Sequence, residues 1–292
     1  MIRSRLNLHG KTVLLTGGAS GIGAASARVL VARGARVALV DLDEAGLAGV
    51  AADLGTAARS FPGSVTDRAR LGEIVEEVLA WTGSVDVAWA NAGIAAEPPA
   101  TIATIDEAVF EKVVEVDLLG VWRTVRAALP AVQAAKGHLL LTASTYAFAN
   151  GMVNAPYAAS KSAVESLGRS LRSELAGTGT TAGVLYPGWI ETPIVQTSRH
   201  VDPVAMQLTS IGFPGPFGKL IPAEQLAEAA VRGIERRAAR TIHPRAWIGW
   251  SVLRGLVNPV LDAGVDRHRT VQRLVQEIET ARIAERAKGD PS

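Results

Sequence analysis

The chain has 292 residues, 48% hydrophobic and 20% charged, a balance that excludes an intrinsically disordered protein. Its 30 basic and 28 acidic side chains leave a formal net charge of +2, too small to indicate a nucleic-acid-binding protein. The sequence has no cysteines, which excludes a disulfide scaffold and a thiolate nucleophile and fits a reducing compartment. Since it shows neither an apolar run long enough for a membrane span nor a signal-peptide pattern, we expect a cytoplasmic protein.

Short apolar runs alternate with longer helical patterns along most of the chain. The apolar runs predict buried strands at 12–16, 35–40, 85–90, 138–143 and 181–186. The helical patterns occupy 21–33, 43–53, 67–80, 106–135, 155–176 and 222–238. Because strands and helices alternate through short links, the sequence predicts an α/β fold with a doubly wound parallel sheet and helices on both of its faces.

Two regions depart from this alternation. Residues 193–221 are rich in proline and glycine and only weakly periodic, which predicts a mobile, functional loop within one domain at 8–244. Residues 245–292 form a C-terminal extension, in which Val271, Leu274, Val275 and Ile278 recur at helical spacing. We expect this extension to be helical and either to close over a substrate pocket or to pack on a neighbouring subunit.

The first strand runs directly into a glycine-rich turn, Thr16-Gly17-Gly18-Ala19-Ser20-Gly21-Ile22-Gly23. Such a turn lets a pyrophosphate approach backbone N–H groups at the positive end of the following helix, although a purely structural turn is the alternative. The second strand ends at Asp41, and Leu42 follows without a basic residue to receive a 2′-phosphate. A carboxylate there can bind both ribose hydroxyls, which favours NAD over NADP. The alternatives are a solvated aspartate in a loop or a cap for the next helix.

A tyrosine and a lysine lie one helical turn apart in Tyr157-Ala158-Ala159-Ser160-Lys161. A cation beside a phenol favours the phenolate, so we expect a lowered pKa for Tyr157 and a role as general acid and base. Ser144 follows the strand at 138–143, where its hydroxyl can hold the oxygen of a carbonyl or an alcohol. The alternative for the Tyr–Lys pair is an exposed pair on a helix without a catalytic role.

These motifs resemble the short-chain dehydrogenase/reductase family, in its compact single-domain branch with Thr-Gly-x-x-x-Gly-x-Gly and Tyr-x-x-x-Lys. Asn91-Ala92-Gly93 matches the family's Asn-Ala-Gly, and Pro187-Gly188-Trp189-Ile190-Glu191-Thr192 matches its Pro-Gly-x-x-x-Thr. The resemblance implies a Rossmann-type fold and reversible hydride transfer between a nicotinamide cofactor, here NAD, and a carbonyl or alcohol.

The resemblance also implies roles for the matching residues. Tyr157 would be the proton donor and acceptor, Lys161 would bind the nicotinamide ribose, and Ser144 would orient the reacting oxygen. The main chain at Ile190 and the hydroxyl of Thr192 would hold the carboxamide. The full cofactor-binding set would comprise Gly17, Ser20, Gly21, Ile22, Gly23, Asp41, Leu42, Ser64, Val65, Asn91, Ala92, Gly93, Tyr157, Lys161, Pro187, Gly188, Ile190 and Thr192.

Three positions depart from the family's pattern. Ser64-Val65 stands where the family often has Asp-Val, and Ala90 replaces a second asparagine; both changes concern cofactor affinity. Asp117, in Asp117-Leu118-Leu119-Gly120, occupies the place of the family's catalytic asparagine. Its carboxyl could accept a hydrogen bond from the backbone at Ile94, stay protonated or stabilise the Lys161 ammonium. In the remaining interpretation, only its backbone matters.

The residues expected to flank the reacting centre are mostly apolar and include no convergent cation: Ile94, Tyr146, Met152, Val153, Trp189, Val195 and Met206. They favour a neutral, hydrophobic secondary alcohol or ketone of steroid-like, terpenoid or aliphatic type. The five histidines are scattered without ligand spacing, so we expect no metal site.

Two other classes of function stay open. A nucleotide-binding regulator with little turnover would share the fold, but the complete Ser–Tyr–Lys set argues against it. A peripheral membrane protein could use Trp247, Trp250 and the apolar residues around them, although burial against the domain or a partner subunit is the simpler interpretation. The resemblance implies a homodimer or homotetramer, and we expect neither a nucleic-acid nor a membrane partner.

Overall fold

A computed structural model describes residues 5–192 and 202–289, with side chains up to residue 287. Its strands are β1 (Thr12–Thr16), β2 (Arg36–Asp41), β3 (Ala58–Pro62), β4 (Val87–Ala90), β5 (His138–Thr142), β6 (Thr181–Pro187), β7 (Ile190–Glu191), β8 (Ile221–Pro222) and β9 (Arg240–His243). Seven of them form a parallel sheet in the order β3-β2-β1-β4-β5-β6-β9, and β7 pairs with β8. The chain order reverses between β1 and β4, and doubly wound sheets bind ligands at the carboxyl ends of the strands at such a point.

Helices cover both faces of this sheet. They are α1 (Gly21–Ala32), α2 (Glu44–Leu54), α3 (Arg68–Thr82), α4 (Glu107–Val114), α5 (Val121–Ala134), α6 (Ala155–Glu174), α7 (Pro203–Gly212), α8 (Ala223–Glu235), α9 (Trp247–Asp266) and α10 (Arg269–Gly289). One core packs α1, α2 and α8 against the sheet, and a second core packs α3, α5 and α6 against its other face. A π-helical turn at Glu115–Gly120 joins α4 to α5.

The strands feed both cores because successive side chains point to opposite faces of a sheet. In β1, Val13 and Leu15 join the core with α1 and α8, whereas Leu14 joins the core with α3, α5 and α6. All five residues of β1 are buried, as expected of a strand with a helix layer on each side.

The predicted doubly wound parallel sheet with helices on both faces is confirmed, and several predicted details are corrected. The sequence patterns missed β3 and β9, which are the two edge strands, and the small pair β7–β8. The predicted loop at 193–221 contains a helix, α7, because Asp202 accepts hydrogen bonds from the backbone N–H groups of Val204 and Ala205 and caps that helix. Residues 193–201 of that loop lie outside the described residues.

The C-terminal extension consists of α9 and α10 and packs on its own domain. Val271, Leu274 and Ile278 of α10 are buried in a third cluster that includes Leu208 of α7. Ion pairs fasten the extension: Arg254 bonds Glu165 at 2.7 and 3.0 Å, and Arg282 bonds Asp202 at 2.7 Å. Among the described residues, no helix combines the length and the apolar composition needed to cross a membrane.

Candidate active site

The glycine-rich turn carries the chain from β1 into α1 with its backbone against the end of β4. Gly17 has a φ of +69°, and a Cβ there would lie 3.0 Å from the Cα of Ala92. A Cβ at Gly23 would lie 1.8 Å from the carbonyl oxygen of Gly17, so only glycine fits. The first turn of α1 contains no acidic residue, which leaves the positive end of its dipole free for an anion.

Asn91 fixes this turn to the neighbouring strand ends. Its side-chain amide donates to the carbonyl of Thr16 at 3.1 Å, and its backbone N–H donates to the Thr16 hydroxyl at 3.0 Å. The hydroxyl of Thr142, at the end of β5, donates to the side-chain oxygen of Asn91 at 3.2 Å. Asn91 therefore positions the floor of the cleft through its hydrogen bonds to protein groups.

Asp41 ends β2 and faces the same turn. One carboxylate oxygen accepts from the backbone N–H of Ala19 at 3.1 Å, and the other accepts from Leu42 at 2.7 Å and Asp43 at 3.2 Å. The predicted alternative, that this acid caps α2, is wrong because Asp43 does so, accepting from the backbone of Gly46. Asp41 is therefore held rigidly at one end of the cleft by backbone donors.

Tyr157 and Lys161 lie on one face of α6 at the opposite end of the cleft. The Lys161 Nζ lies 5.3 Å from the centre of the Tyr157 ring and donates to the carbonyl of Thr142 at 3.3 Å. The hydroxyl of Ser144 hydrogen-bonds Tyr157 and also accepts from the backbone of Tyr146 at 3.2 Å. Lys161 is 2% exposed, so this is not the exposed helix pair considered as an alternative.

Asp117 lies in the π-helical turn, a feature that often marks functional sites, and its side chain is fully buried. One oxygen accepts from the backbone N–H of Ile94 at 2.7 Å, and the other lies 3.0 Å from the Nζ of Lys161. The structure thus contains two of the predicted interactions of Asp117: the hydrogen bond to the backbone of Ile94 and the ion pair with Lys161. Burial raises the pKa of the Asp117 carboxyl, and the Lys161 charge opposes this rise.

The pKa of the Tyr157 phenol lies above its usual value, the reverse of the direction expected from the sequence. Burial is the main cause; the Lys161 ammonium and the Ser144 hydrogen bond lower the pKa, and the Asp117 carboxylate raises it. Burial lowers the pKa of Lys161, but the Asp117 carboxylate and the Tyr157 phenol together more than reverse this effect. Lys161 therefore stays protonated beside the phenol, and the Asp117 carboxylate offsets part of its electrostatic effect on Tyr157.

A cleft of about 290 Å³ runs from Asp41 to Lys161 along the carboxyl ends of the strands. Its lining contains most of the expected cofactor set: Gly17, Ser20, Gly21, Ile22, Gly23, Asp41, Asn91, Ala92, Gly93, Tyr157, Lys161, Pro187, Gly188, Ile190 and Thr192. Thr142 and Ala143 line it as well and were missed, although their place at the end of a predicted strand was a usable signal.

Three expected cofactor residues stay outside that lining. Leu42 is 71% exposed beyond Asp41. The hydroxyls of Ser64 and Thr66 form a hydrogen bond of 2.7 Å. Val65 packs closely on Gly120: a Cβ at Gly120 would lie 2.6 Å from a methyl group of Val65.

A smaller pocket of about 130 Å³ adjoins Tyr157. Of the expected substrate residues, Tyr146, Met152, Val153, Trp189 and Met206 line it. Ile94 does not line it, and Val195 lies outside the described residues. Lining residues that sequence reasoning missed are Ala95, Ala96, Pro99, Thr145, Asn154, Gly188, Ala205 and Thr209. Across 5–192 and 202–289, no cluster of His, Cys, Asp or Glu is arranged to hold a metal ion.

The comparison with known families agrees with this geometry. A family model described as short chain dehydrogenase matches residues 11–202, about two thirds of the chain. The chain belongs to the short-chain dehydrogenase family. It is therefore an oxidoreductase.

Individual relatives in this family cover most of the chain. Cis-4-hydroxycyclohexanecarboxylate dehydrogenase from Sinomonas cyclohexanicum is 35% identical over 222 residues, which cover 75% of this chain and 87% of that protein. The 3-ketoacyl-(acyl-carrier-protein) reductase from Brucella melitensis, solved with NADH, has a TM-score of 0.72 at 29% identity and covers 81% of this chain and 97% of its own. A short-chain dehydrogenase/reductase from Burkholderia phymatum, solved with NAD, has a TM-score of 0.75 at 25% identity, covering 86% and 94%.

Proposed function

We propose that this protein is an NAD(H)-dependent oxidoreductase that interconverts a secondary alcohol and a ketone on a neutral, hydrophobic substrate. The observation that carries the proposal is the position of Tyr157, which lines both the long cleft and the small apolar pocket. A proton-transferring group at the junction of a dinucleotide cleft and a substrate pocket is what reversible alcohol oxidation requires.

The cleft has the features that a dinucleotide needs. The glycine turn offers backbone N–H groups to a pyrophosphate, and the Asp41 carboxylate stands where the adenosine ribose would lie. Two relatives of known structure were solved with NADH and NAD, respectively. A carboxylate repels a 2′-phosphate, so we propose NAD as the preferred cofactor, which supplies the hydride acceptor or donor when bound.

The protein's own part in the reaction is positioning and one proton transfer. In the oxidation of an alcohol, the Tyr157 oxygen would take the hydroxyl proton while the Ser144 hydroxyl holds the reacting oxygen. In reduction, Tyr157 would return a proton to the carbonyl oxygen. Lys161 would bind the nicotinamide ribose and stabilise the phenolate, and the main chain at Ile190 with the Thr192 hydroxyl would hold the carboxamide.

The small pocket favours an uncharged substrate. Its described lining contains no arginine, lysine or histidine, and its polar side-chain groups are hydroxyls, the amide of Asn154 and the indole N–H of Trp189. The relative from Sinomonas cyclohexanicum is named for a hydroxylated cyclohexane that carries a carboxylate. A ring alcohol of that kind fits the reaction, but a carboxylate would find no cationic side chain among the described lining residues and would be buried at a cost.

A matched pair of substrates tests this proposal. NADH formation is measured with 4-methylcyclohexanol and with cis-4-hydroxycyclohexanecarboxylate, which present a neutral and a charged group on the same ring. We expect a kcat/KM at least tenfold higher for the neutral alcohol, and no turnover of either by Tyr157→Phe. Preference for the carboxylate would refute the neutral substrate, and NAD binding without turnover of neutral or charged alcohols would favour the regulatory alternative.

An exposed apolar stripe on α9 is a candidate surface for binding a partner protein or a membrane. Val252, Leu256 and Val260 recur every four residues and are 68%, 75% and 72% exposed. Membrane-surface helices usually pair such a stripe with free basic residues, but Arg254 of α9 is bonded to Glu165. We therefore propose that a second copy of the chain covers the stripe within a homo-oligomer.

The lack of cysteine favours a reducing compartment, so we place the activity in the cytoplasm.

A further inference from the structure

A second cavity lies between α7 and the C-terminal extension, apart from the cofactor cleft. Its volume is about 400 Å³, and its walls are mainly apolar. Leu208 and Ile211 of α7 face it from one side, and Trp250, Leu253 and Val257 of α9 face it from the other. Leu253 is 51% exposed, so the cavity opens to solvent beside this residue. We call this cavity the α9 chamber.

Only one layer of side chains separates the α9 chamber from the small pocket at the catalytic tyrosine. Tyr146, Met152 and Thr209 line both spaces. Tyr146 stacks edge-on against Tyr157, with 5.7 Å between ring centres, so the layer directly adjoins the reacting centre. Met152 is unbranched and has several rotatable bonds, which lets its side chain move aside without a change of the backbone.

The α9 chamber is larger than the small pocket beside Tyr157, and only the chamber has the volume of a typical ligand site. Pockets for small molecules usually occupy about 300–1,000 Å³. The pocket beside Ser144 and Tyr157, at about 130 Å³, falls below this range and has room for a carbinol carbon with small substituents. The α9 chamber, at about 400 Å³, falls within it. A hydrophobic substrate of more than a few carbons therefore needs the chamber for its apolar body.

Several polar groups in the chamber wall are bonded to protein groups. Trp250 Nε1 donates to the Asn258 side-chain oxygen at 3.0 Å, and the Asn258 amide donates to the carbonyl of Phe148 at 3.0 Å. The Asn150 amide donates to one oxygen of the Asp262 carboxylate at 3.1 Å. Because the lining is mainly apolar and these bonds occupy several of its polar groups, the chamber offers a ligand mainly apolar contact.

We infer that the α9 chamber is a subsite that binds the alkyl or alicyclic body of the substrate while the carbinol carbon lies in the small pocket between Ser144 and Tyr157. This inference rests on the proposed function and extends it. The substrate would be an elongated, uncharged molecule with its oxidisable hydroxyl near one end. Specificity for the apolar part would then reside in the C-terminal extension, through Trp250, Leu253 and Val257.

A homologous series of alcohols measures the subsite. Initial rates of NADH formation are compared for 2-butanol, 2-hexanol, 2-octanol, 2-decanol and 2-dodecanol, which differ only in the apolar chain. Each buried methylene contributes about 0.8 kcal/mol, so we expect kcat/KM to rise by up to about fourfold per methylene until the chamber is filled.

Two matched variants assign the effect to the chamber. Val257→Trp places a large ring in the chamber, whereas Ile283→Trp places the same ring on α10 of the extension, at a side chain that is 60% exposed and outside the chamber lining. We expect Val257→Trp to lower kcat/KM for 2-dodecanol at least about tenfold and to leave 2-butanol within about twofold. Ile283→Trp is expected to leave the chain-length dependence unchanged.

Calorimetric binding of 2-dodecanone and 2-butanone to the NADH-loaded protein separates this inference from the proposed function. Turnover without a rise along the series, or a rise that Val257→Trp leaves intact, would overturn the subsite while the oxidoreductase function stands. Binding of 2-dodecanone that Val257→Trp weakens, without turnover of any alcohol, would support the chamber as a ligand site and overturn the proposed function. Absence of both turnover and binding would overturn both.

Discussion

The ion pair between Asp117 and Lys161 permits a prediction that separates the charge of the carboxylate from its geometry. In Asp117→Asn, the retained oxygen can still accept from the backbone of Ile94, which now bonds the carboxylate at 2.7 Å. The new amide group donates and cannot accept from the Lys161 ammonium, which lies 3.0 Å from the second oxygen. Lys161 keeps its bond to the carbonyl of Thr142.

The expected size of the effect follows from two opposing contributions. At 3.0 Å and an effective dielectric constant of about 20, the attraction between the charges amounts to about 5 kcal/mol before desolvation is subtracted. Both side chains are buried, and the desolvation penalty of such pairs often cancels most of that gain. We therefore expect kcat within about tenfold of native, a change of about 1.4 kcal/mol in the barrier, or somewhat above it.

The pH dependence of kcat shows in which direction the Asp117 carboxylate shifts the pKa of Tyr157. Alcohol oxidation needs the phenolate, so its rate rises as the pH rises through the pKa of Tyr157. The Asp117 carboxylate raises this pKa, and the Lys161 ammonium lowers it. Removal of the carboxylate leaves the lysine charge uncompensated beside the phenol, so the acid limb of kcat should move to lower pH.

The assay is kcat for oxidation of a neutral secondary alcohol between about pH 6 and 10 in the native protein and the variants. Glu111→Gln, at an exposed carboxylate on α4, is the matched control and should leave the profile unchanged. Asp117→Ala removes both contacts and should cost about 3–5 kcal/mol of folding stability, measured by urea unfolding. A hundredfold loss of kcat in the Asn variant, or an acid limb at higher pH, would show that the carboxylate itself serves the proton transfer.

Three further predictions concern the proton donor, the cofactor and the partner surface. Tyr157→Phe should lower kcat by about 10² or more with NAD affinity unchanged in a fluorescence titration, since one proton transfer is lost; most activity retained would contradict the assignment. Asp41→Ala should lower kcat/KM for NAD by at least about tenfold and narrow its ratio to NADP, because charge-assisted bonds contribute about 1.5–3 kcal/mol each; a native preference for NADP would refute the proposal. Leu256→Asp should reduce the mass measured by light scattering, whereas Ile283→Asp, at an exposed position of α10, should not; binding of native protein to phosphatidylserine vesicles that Leu256→Asp abolishes would favour a membrane instead.

The sheet could be predicted from sequence where its strands are covered on both faces and flanked by neighbours. β1 reads as a continuous apolar run because every one of its residues is buried. β3 and β9 were missed because they lie at the sheet edges, where a mixed sequence such as Ala58–Pro62 buries only Phe61 fully. The helix at Pro203–Gly212 did carry a signal, an aspartate followed by proline at the first helical position, within a segment otherwise rich in loop residues.

The candidate site could be predicted from the sequence where local spacing along the chain determines the positions of its residues. Tyr157 and Lys161 lie one turn apart on a helix, and Ser144 follows a buried strand, so their convergence follows from the fold. The pKa direction of Tyr157 was not readable, because burial depends on elements far apart in the chain. The α9 chamber could not be predicted for the same reason: its walls come mainly from α7 and α9, and only their packing shows that the extension adjoins the pocket beside Tyr157.

The π-helical turn places the Asp117 side chain, at the position where the family resemblance implies an asparagine, beside Gly93 in the lining of the cleft. The turn directs the Asp117 side chain between the end of β4 and α6, where a Cβ at Gly93 would lie 3.2 Å from its oxygen and 3.1 Å from the Lys161 Nζ. Both Asp117 oxygens have partners in this narrow space. The Asp117 side chain thus connects the π-helical turn with the segment after β4 and with α6, so the interpretation in which only its backbone matters does not hold for the structure. That interpretation can still hold for catalysis, because the oxygen of an asparagine amide would accept the same hydrogen bond from Ile94. The charge is the part that asparagine lacks, and its effect should be confined to the pH at which Tyr157 releases its proton.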